Sequence, residues 1–337
     1  MTSHGSDGPP TPGEQALIAH IRSRLPPAPS SLVVGPGDDA AVMIPERGAL
    51  QVLTTDAIVE GVHFDRRFSG LADVGYKALA VNVSDIVAMG ATPQYALLSL
   101  ILPDRTTLDD LDALLDGLLE MAALSGTAVA GGNISRSPGP LVVDVTVTGS
   151  VRPRRILRRS GGRPGDALYV TGSIGAAAAG LGWLRAPAED TADVMTGCVS
   201  RHRRPEPRVR VGTLLGRNRA ASACMDLSDG LADAVRQVAE ASGTGASVDA
   251  AALPIDPAAA RWFQGHGTDP VLGAVSGGDD YELLFAVPRK FGGRLRSVQS
   301  EARGLPLTKI GELTASPAVV LSRAGRTVDM PSGFSHF

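Results

Sequence analysis

The sequence has 337 residues, more than one ordinary core accommodates, because single cores stop growing at roughly 250–300 residues; two domains are expected. Hydrophobic residues make up 43% and charged residues 20%, a globular composition, and the formal charge of -3 gives no sequence-wide attraction to nucleic acid or to an anionic membrane surface. Only Cys198 and Cys224 are present, so a disulfide framework and a thiolate metal site are both excluded within one chain, a reducing cytoplasm fits, and no apolar run is long enough to span a bilayer.

Residues 1–12, rich in Gly, Pro and Ser, read as a disordered tail. Leu17, Ile18, Ile21 and Leu25 then fall on one helical face, stopped by the proline-rich stretch 26–30. Strands are predicted at 40–44 and 50–55, a long helix at 71–89, a strand at 95–102, a helix at 108–125, and strands at 127–130 and 141–149. Residues 13–150 thus form an expected α+β domain. The arginine-rich stretch 152–163, ending in Pro164-Gly165-Asp166, breaks the apolar pattern and reads as the junction to a second domain over 151–337. There the pattern predicts a strand at 167–171, a helix at 174–184, a strand at 221–225, a helix at 228–242 and a strand at 282–287.

Aspartates gather where predicted strands end and helices begin: Asp38 and Asp39 after Gly-Pro-Gly, Asp56 after Val-Leu-Thr-Thr, Asp226 and Asp229 in Asp-Leu-Ser-Asp-Gly, and Asp279 and Asp280 after Ser-Gly-Gly. Any one Asp-Gly pair is more simply a turn, and Ser228 with Asp229 reads equally as a helix cap and a dipole complement. Together, however, several hard carboxylate oxygens favour Mg²⁺, with substrate phosphates completing its coordination. Asp85 lies in the helix segment 79–89, apolar on most sides, where an ionised group needs partners, and it shares a face with Lys77 and Asn82. His63 alone carries no metal-site spacing. The chain has no Gly-x-x-x-x-Gly-Lys-Ser/Thr loop, no protein-kinase His-Arg-Asp or Asp-Phe-Gly element and no Gly-x-Ser-x-Gly turn. Tyr169 to Gly175 leads from a strand into a helix, but without the Gly-x-Gly-x-x-Gly pattern that a nicotinamide-dependent oxidoreductase would require.

Five motifs stand in order: Gly37-Asp38-Asp39-Ala40-Ala41-Val42; Thr54-Thr55-Asp56 with Glu60-Gly61-Val62-His63-Phe64; Lys77 through Asp85; Asp226-Leu227-Ser228-Asp229-Gly230; and Ser276-Gly277-Gly278-Asp279-Asp280-Tyr281-Glu282-Leu283. On these the chain resembles the thiamine-monophosphate kinases from about Glu14 to its C-terminus. The resemblance implies the α+β fold shared with aminoimidazole ribonucleotide synthetase, with two α/β domains and a homodimer whose N-terminal domains join through a sheet barrel. It implies ATP and thiamine monophosphate as substrates and several Mg²⁺ ions held by Asp39, Thr54, Thr55, Asp56, Asp85, Asp226 and Asp229. It further implies ATP contacts at Gly132, Arg159 and Ser228, and thiamine-phosphate contacts at His63, Asp279 and Phe334. Asp279 stands where the family usually has Glu, and Phe334 where it usually has Trp. Gly131-Gly132-Asn133-Ile134 stands where the family has Gly-Gly-Asp-Thr. The family aspartate binds magnesium, whereas Asn133 offers a carbonyl oxygen without negative charge.

Two expectations follow. The first is a kinase needing no general base, because a phosphate monoester with a second pKa of about 6 is already a nucleophilic dianion at neutral pH. The second is a non-catalytic or weakly active nucleotide- and thiamine-phosphate-binding paralogue, motivated by Asn133. Selenophosphate synthetases and hydrogenase-maturation relatives depend on cysteines near the N-terminus or at the C-terminus, and this chain has neither.

Overall fold

Alternating and helical apolar periods set out the N-terminal half in the computed structural model, which describes residues 13–333; the expected tail and Phe334 lie outside the described residues. Helix α1 (Glu14–Arg24) buries Leu17, and strands β1 (Leu32–Val34) and β2 (Val42–Met43) pair around the loop that carries Asp38 and Asp39. The strand expected at 40–44 shortens to two residues, because the preceding Gly-Pro-Gly-Asp-Asp turn consumes its start. Strand β3 (Leu50–Val59), helix α2 (Leu71–Ala88), strand β4 (Thr92–Pro103), helix α3 (Leu108–Ser125) and strands β5 (Ala128–Ser137) and β6 (Val142–Val151) follow. The four long strands form one sheet in the order β3-β6-β4-β5, antiparallel except for β4 and β5, whose parallel pairing needs the α3 crossover. Helix α3 begins at a capping box between Thr107 and Asp110 and ends at Gly126 in the left-handed conformation.

Helix α2 packs on one sheet face, where Val143, Val145 and Val147 are fully buried with Leu79 and Ile86. Helices α2 and α3 cross almost backbone to backbone: a Cβ on Gly117 would lie 1.7 Å from the Ala72 carbonyl oxygen, and one on Gly75 would lie 1.9 Å from that of Leu114. On the other sheet face the β1–β2 hairpin covers Tyr95 and Ala130, but Leu53 and Leu97 remain 68% and 41% exposed.

The second half is built around seven strands: β7 (Ala167–Thr171), β8 (Ala223–Asp226), β9 (Gly245–Asp249), β10 (Leu283–Val287), β11 (Leu307–Thr314), β12 (Val319–Arg323) and β13 (Arg326–Asp329). Their order is β13-β12-β9-β11-β7-β10-β8, and only β9 and β12 run parallel. Helices α4 (Ala176–Arg185), α5 (Ala192–Arg203), α6 (Val209–Asn218), α7 (Leu231–Ser242), α8 (Pro257–Gly265), α9 (Pro270–Ser276) and α10 (Gly292–Glu301) surround it. One core joins Leu168 and Val170 to α4 and α7, and the other joins Phe285 to α6 and α10. With helices on both faces, β10 is apolar at all five positions and buried throughout.

The two halves meet along α2. Ala88 at its end joins Leu157, Leu215, Cys224 and Phe285 in one apolar cluster. No helix among the described residues is long and apolar enough to cross a membrane. Because a methyl group at Gly117 collides with backbone rather than with a side chain able to turn aside, we expect Gly117→Ala to lower stability by about 2 kcal/mol or more, read as a fall in chemical-denaturation midpoint. An unchanged midpoint would show that the α2–α3 crossing is loose.

Candidate active site

Helix α2 presents polar groups on the side that meets β3 and the second domain. Asp85 accepts a hydrogen bond from Thr54 Oγ1 at 2.6 Å, and one residue earlier Ser84 Oγ donates to Asp226 Oδ2 at 2.6 Å across the domain boundary. Asn82 is fully buried; its Nδ2 donates to the Ala78 carbonyl at 3.0 Å and lies 3.5 Å from the Asp56 carbonyl, while its Oδ1 has no hydrogen-bond partner. Asp56, Asp85 and Asp226 therefore meet between β3, α2 and the end of β8.

Their electrostatics reflect that crowding. Partial desolvation, reinforced by Asp85, Asp144 and Asp229, pushes the Asp56 carboxyl up to about 6. Burial and the charge of Asp85 lift Asp226 to about 7, although its bond from Ser84 and the charge of Arg159 act the other way. Carboxyls that resist ionisation beside one another are the mark of a site short of positive charge. Hard oxygen donors, including the bare Asn82 Oδ1, suit Mg²⁺. Among the described residues no three His, Cys, Asp or Glu side chains form a ready-made metal shell. That is compatible with Mg²⁺, which commonly takes one or two carboxylates and completes its octahedron with water and substrate phosphates.

Two loops of the second domain close over this group. Gly230, at φ +97, ends the Asp226–Gly230 turn and delays α7 to Leu231, later than the expected start at 228; a Cβ there would lie 2.7 Å from the Gly277 carbonyl oxygen. The neighbouring loop is clipped to it by Asp279 N to Ser228 O at 2.7 Å and Tyr281 N to Leu227 O at 2.9 Å. Asp279 and Tyr281 both have positive φ, +68 and +49, a costly backbone for residues other than glycine that these bonds maintain.

The acids of that loop divide by function. Asp280 accepts hydrogen bonds from Gly175 N at 2.7 Å and Ala177 N at 3.3 Å and so caps α4; its burial nevertheless raises it to about 7. Glu282, fully buried, binds Arg208 through both carboxylate oxygens at 2.7 and 2.5 Å, Arg201 at 2.6 Å and Thr171 Oγ1 at 2.5 Å. Only Asp279 keeps substantial exposure, with Lys77 Nζ 2.8 Å from its Oδ2.

The remaining expected site residues are spread around this centre. Thr55 turns to the other sheet face, where its hydroxyl donates to Asp144 Oδ1 at 3.1 Å. Asn133 lies in the cross-strand row Ala57, Asp144, Ser99, Asn133, and so shares that face at about 10 Å from Asp144, two strand spacings away. It is exposed on the edge strand β5, its Nδ2 3.1 Å from Ser135 Oγ. At Gly132 a Cβ would meet the Leu98 carbonyl oxygen at 1.9 Å, so close strand pairing already requires glycine. Asp39 is exposed in the β1–β2 loop. His63 follows β3, its Nδ1 accepting from Val59 N at 3.1 Å. Arg159 is exposed and donates to Gln237 Oε1 at 2.5 Å.

Sequence reasoning missed Ser84, Asp144, His202 and the Glu282–Arg201–Arg208 group. Asp144 alone left a signal, a carboxylate interrupting a valine-rich strand.

Two domains of this topology with carboxylates at their junction define an AIR synthase related protein: residues 37–151 match the N-terminal domain of that family and residues 163–323 its C-terminal domain. The chain is 39% identical over 335 residues to the thiamine-monophosphate kinase of Escherichia coli (strain K12), covering 96% of this chain and 98% of the relative. It is similar in structure to the thiamine-monophosphate kinase of Stenotrophomonas maltophilia K279a, with a TM-score of 0.80, 36% identity and coverage of 91% and 96% of the two chains. A structure of AaThiL complexed with AMPPCP and TMP matches with a TM-score of 0.77, 32% identity and coverage of 96% and 97%. Within that wider family the chain belongs to the thiamine-monophosphate kinases.

Asp56 and Asp226 hold protons more tightly in the folded than in the unfolded chain, so their contribution to stability falls as pH rises from about 4 towards 7. Asp85 contributes to both shifts. In chelator-treated protein we expect the melting temperature of Asp85→Asn relative to the parent to increase between pH 5 and pH 8. A difference independent of pH would mean that the three carboxylates are not coupled.

Proposed function

We propose that this chain transfers the γ-phosphoryl group of ATP directly to thiamine monophosphate, giving thiamine diphosphate by Mg²⁺-assisted in-line displacement. The observation that carries the reading is the meeting of Asp56, Asp85 and Asp226 between the domains, with two carboxyls raised towards neutrality by burial and by their neighbours. Bound Mg²⁺ would supply the positive charge that the acceptor dianion and the nucleotide polyanion require. Thr54, Asp56, Asp85, Asp226 and Asp229 would hold the ions from the α2 side, and Thr55 and Asn133 from the other sheet face; Asp39 would reach them from its loop. Ser228, Gly132 and Arg159 would contact ATP, and His63, Asp279 and Phe334 the thiamine phosphate. No side chain need remove a proton from the acceptor. The protein's contribution is to hold two anions in line and keep water from competing. The N-terminal domain, 13–150, would provide most metal ligands, the C-terminal domain, 151–337, would close over them, and the enzyme would act in the cytoplasm.

The part of that sheet face beyond the β1–β2 hairpin, with Leu53 and Leu97 exposed, supports a homodimer through the N-terminal domains. A charge placed there cannot be buried at an interface. We therefore expect Leu53→Glu to move the solution mass from twice that of the chain to the monomer, as measured by light scattering.

Incubation with ATP and Mg²⁺ and either thiamine monophosphate or thiamine, followed by separation of the products, tests the activity. Asp56→Asn should lower turnover by about 10²-fold or more at low Mg²⁺, with the fold retained, because a ligand loses its charge at nearly constant volume. Near-normal turnover of Asp56→Asn at low Mg²⁺ removes Asp56 from the ligand set, and product from thiamine but not from its monophosphate overturns the substrate assignment. Tight ligand binding without turnover identifies the non-catalytic paralogue that Asn133 motivates.

Asn133 itself allows a direct measurement. Asn133→Asp adds a carboxylate to the face that bears Asp144 and Thr55, and we expect it to lower the Mg²⁺ concentration for half-maximal activity. An unchanged Mg²⁺ midpoint would remove Asn133 from the ligand set.

A further inference from the structure

Asp279 is held from two directions by groups that ordinary surface pairing does not explain. Lys77 Nζ, on α2 of the first domain, lies 2.8 Å from Asp279 Oδ2, and the His202 Nδ1, on α5 of the second, lies 3.3 Å from the same oxygen. The Lys77 and His202 side chains are only 5% and 4% exposed, whereas that of Asp279 is 32% exposed. His202 Nδ1 makes no aligned hydrogen bond. One carboxylate oxygen is thus fixed inside the protein by a buried lysine and a buried imidazole, while part of the side chain stays exposed. Its backbone is fixed as well, by the Asp279 N to Ser228 O bond at 2.7 Å and a φ of +68.

The electrostatics agree with this arrangement. Burial by itself would raise the Asp279 carboxyl, but Lys77 and His202 more than reverse it and hold it well below the usual carboxylate range. His202 is lowered chiefly by burial, with Lys77 and Arg185 adding to the lowering and Asp279 opposing it. The ammonium and imidazole nitrogens beside Asp279 Oδ2 thus favour its ionised form. A buried lysine whose ion pair crosses a domain boundary is costly unless that carboxylate stays in place, so the pair ties the domain separation to the position of the carboxylate.

We propose that Lys77 and His202 are positioning residues that aim Asp279 at the thiamine phosphate and set the gap between its site and the Asp56–Asp85–Asp226 group. This rests on the reading of Asp279 as a substrate contact. Lys77 and Asp85 stand on the same helix, eight positions apart by their numbers, so a shift of α2 that breaks one pair moves the other. A carboxylate shorter than the family's usual glutamate reaches less far, and correct aim then depends more on what holds it.

The test is calorimetric titration of thiamine monophosphate into the full chain with Mg²⁺ and a non-hydrolysable ATP analogue. Asp279→Asn should weaken thiamine-monophosphate binding about tenfold or more, and Lys77→Met should weaken it comparably while nucleotide affinity stays within about twofold. Lys77→Arg should restore most of the loss, and the double variant Lys77→Met with Asp279→Asn should be no weaker than the weaker single variant. Effects that multiply in the double variant, or a Lys77→Met protein with parental affinity, overturn the proposal while leaving Asp279 as a contact. Parental affinity in Asp279→Asn instead removes the contact itself, and the proposal with it. If Lys77→Met fails to fold, His202→Gln takes its place in the same cycle with the same outcomes.

Discussion

Negative charge gathered between two domains couples the placement of the elements that carry it. Asp85 is bonded to Thr54 and acts on both Asp56 and Asp226, so β3, α2 and β8 cannot shift independently without changing how these carboxyls ionise. A core alone would exclude such groups. Here they are retained at the boundary between the domains, where their crowding lowers the stability of the protein as they ionise.

Helix α2 is the structural device that makes this possible. One side is apolar, packing Leu79 and Ile86 against the sheet; the other carries Lys77, Ser84 and Asp85 towards β3 and the second domain. The glycine contact with α3 holds the helix close to its neighbour over a length where larger residues would push it away. Rigid placement matters because two polar pairs that α2 makes across the boundary, Ser84 with Asp226 and Lys77 with Asp279, depend on the same domain geometry.

Buried charge in the second domain serves a different purpose. Glu282 is surrounded by Arg201, Arg208 and Thr171, and Asp280 by the first amides of α4, so each is satisfied by protein alone. They anchor the strained turn at Asp279 and Tyr281 at its middle and at its end. The Asp279 carboxylate, which precedes both, can then stay partly exposed without the loop collapsing.

Long elements with a clear period were legible in the sequence. Helix α3 occupies 108–125 as expected, β7 occupies 167–171, and α2 differs by one residue at its end. Motif order likewise pointed to the family, because turn and metal chemistry dictate Asp and Gly locally. Short or doubly covered elements were not legible: α5, α6 and α8–α10 and the strands β9 and β11–β13 were not anticipated, since their identity depends on neighbours from distant sequence. Residue type and spacing could not distinguish the adjacent Asp279 and Asp280, and only the family resemblance singled out Asp279. Local chemistry gives both the same carboxylate; only the tertiary structure decides that one caps α4 while the other is held by Lys77 from 202 positions away. The sequence determined which chemical groups this protein carries and in what order, because those follow from residue type and local period. Their pairing, ionisation and direction arose only in the fold, because burial and charge act through space and not along the chain.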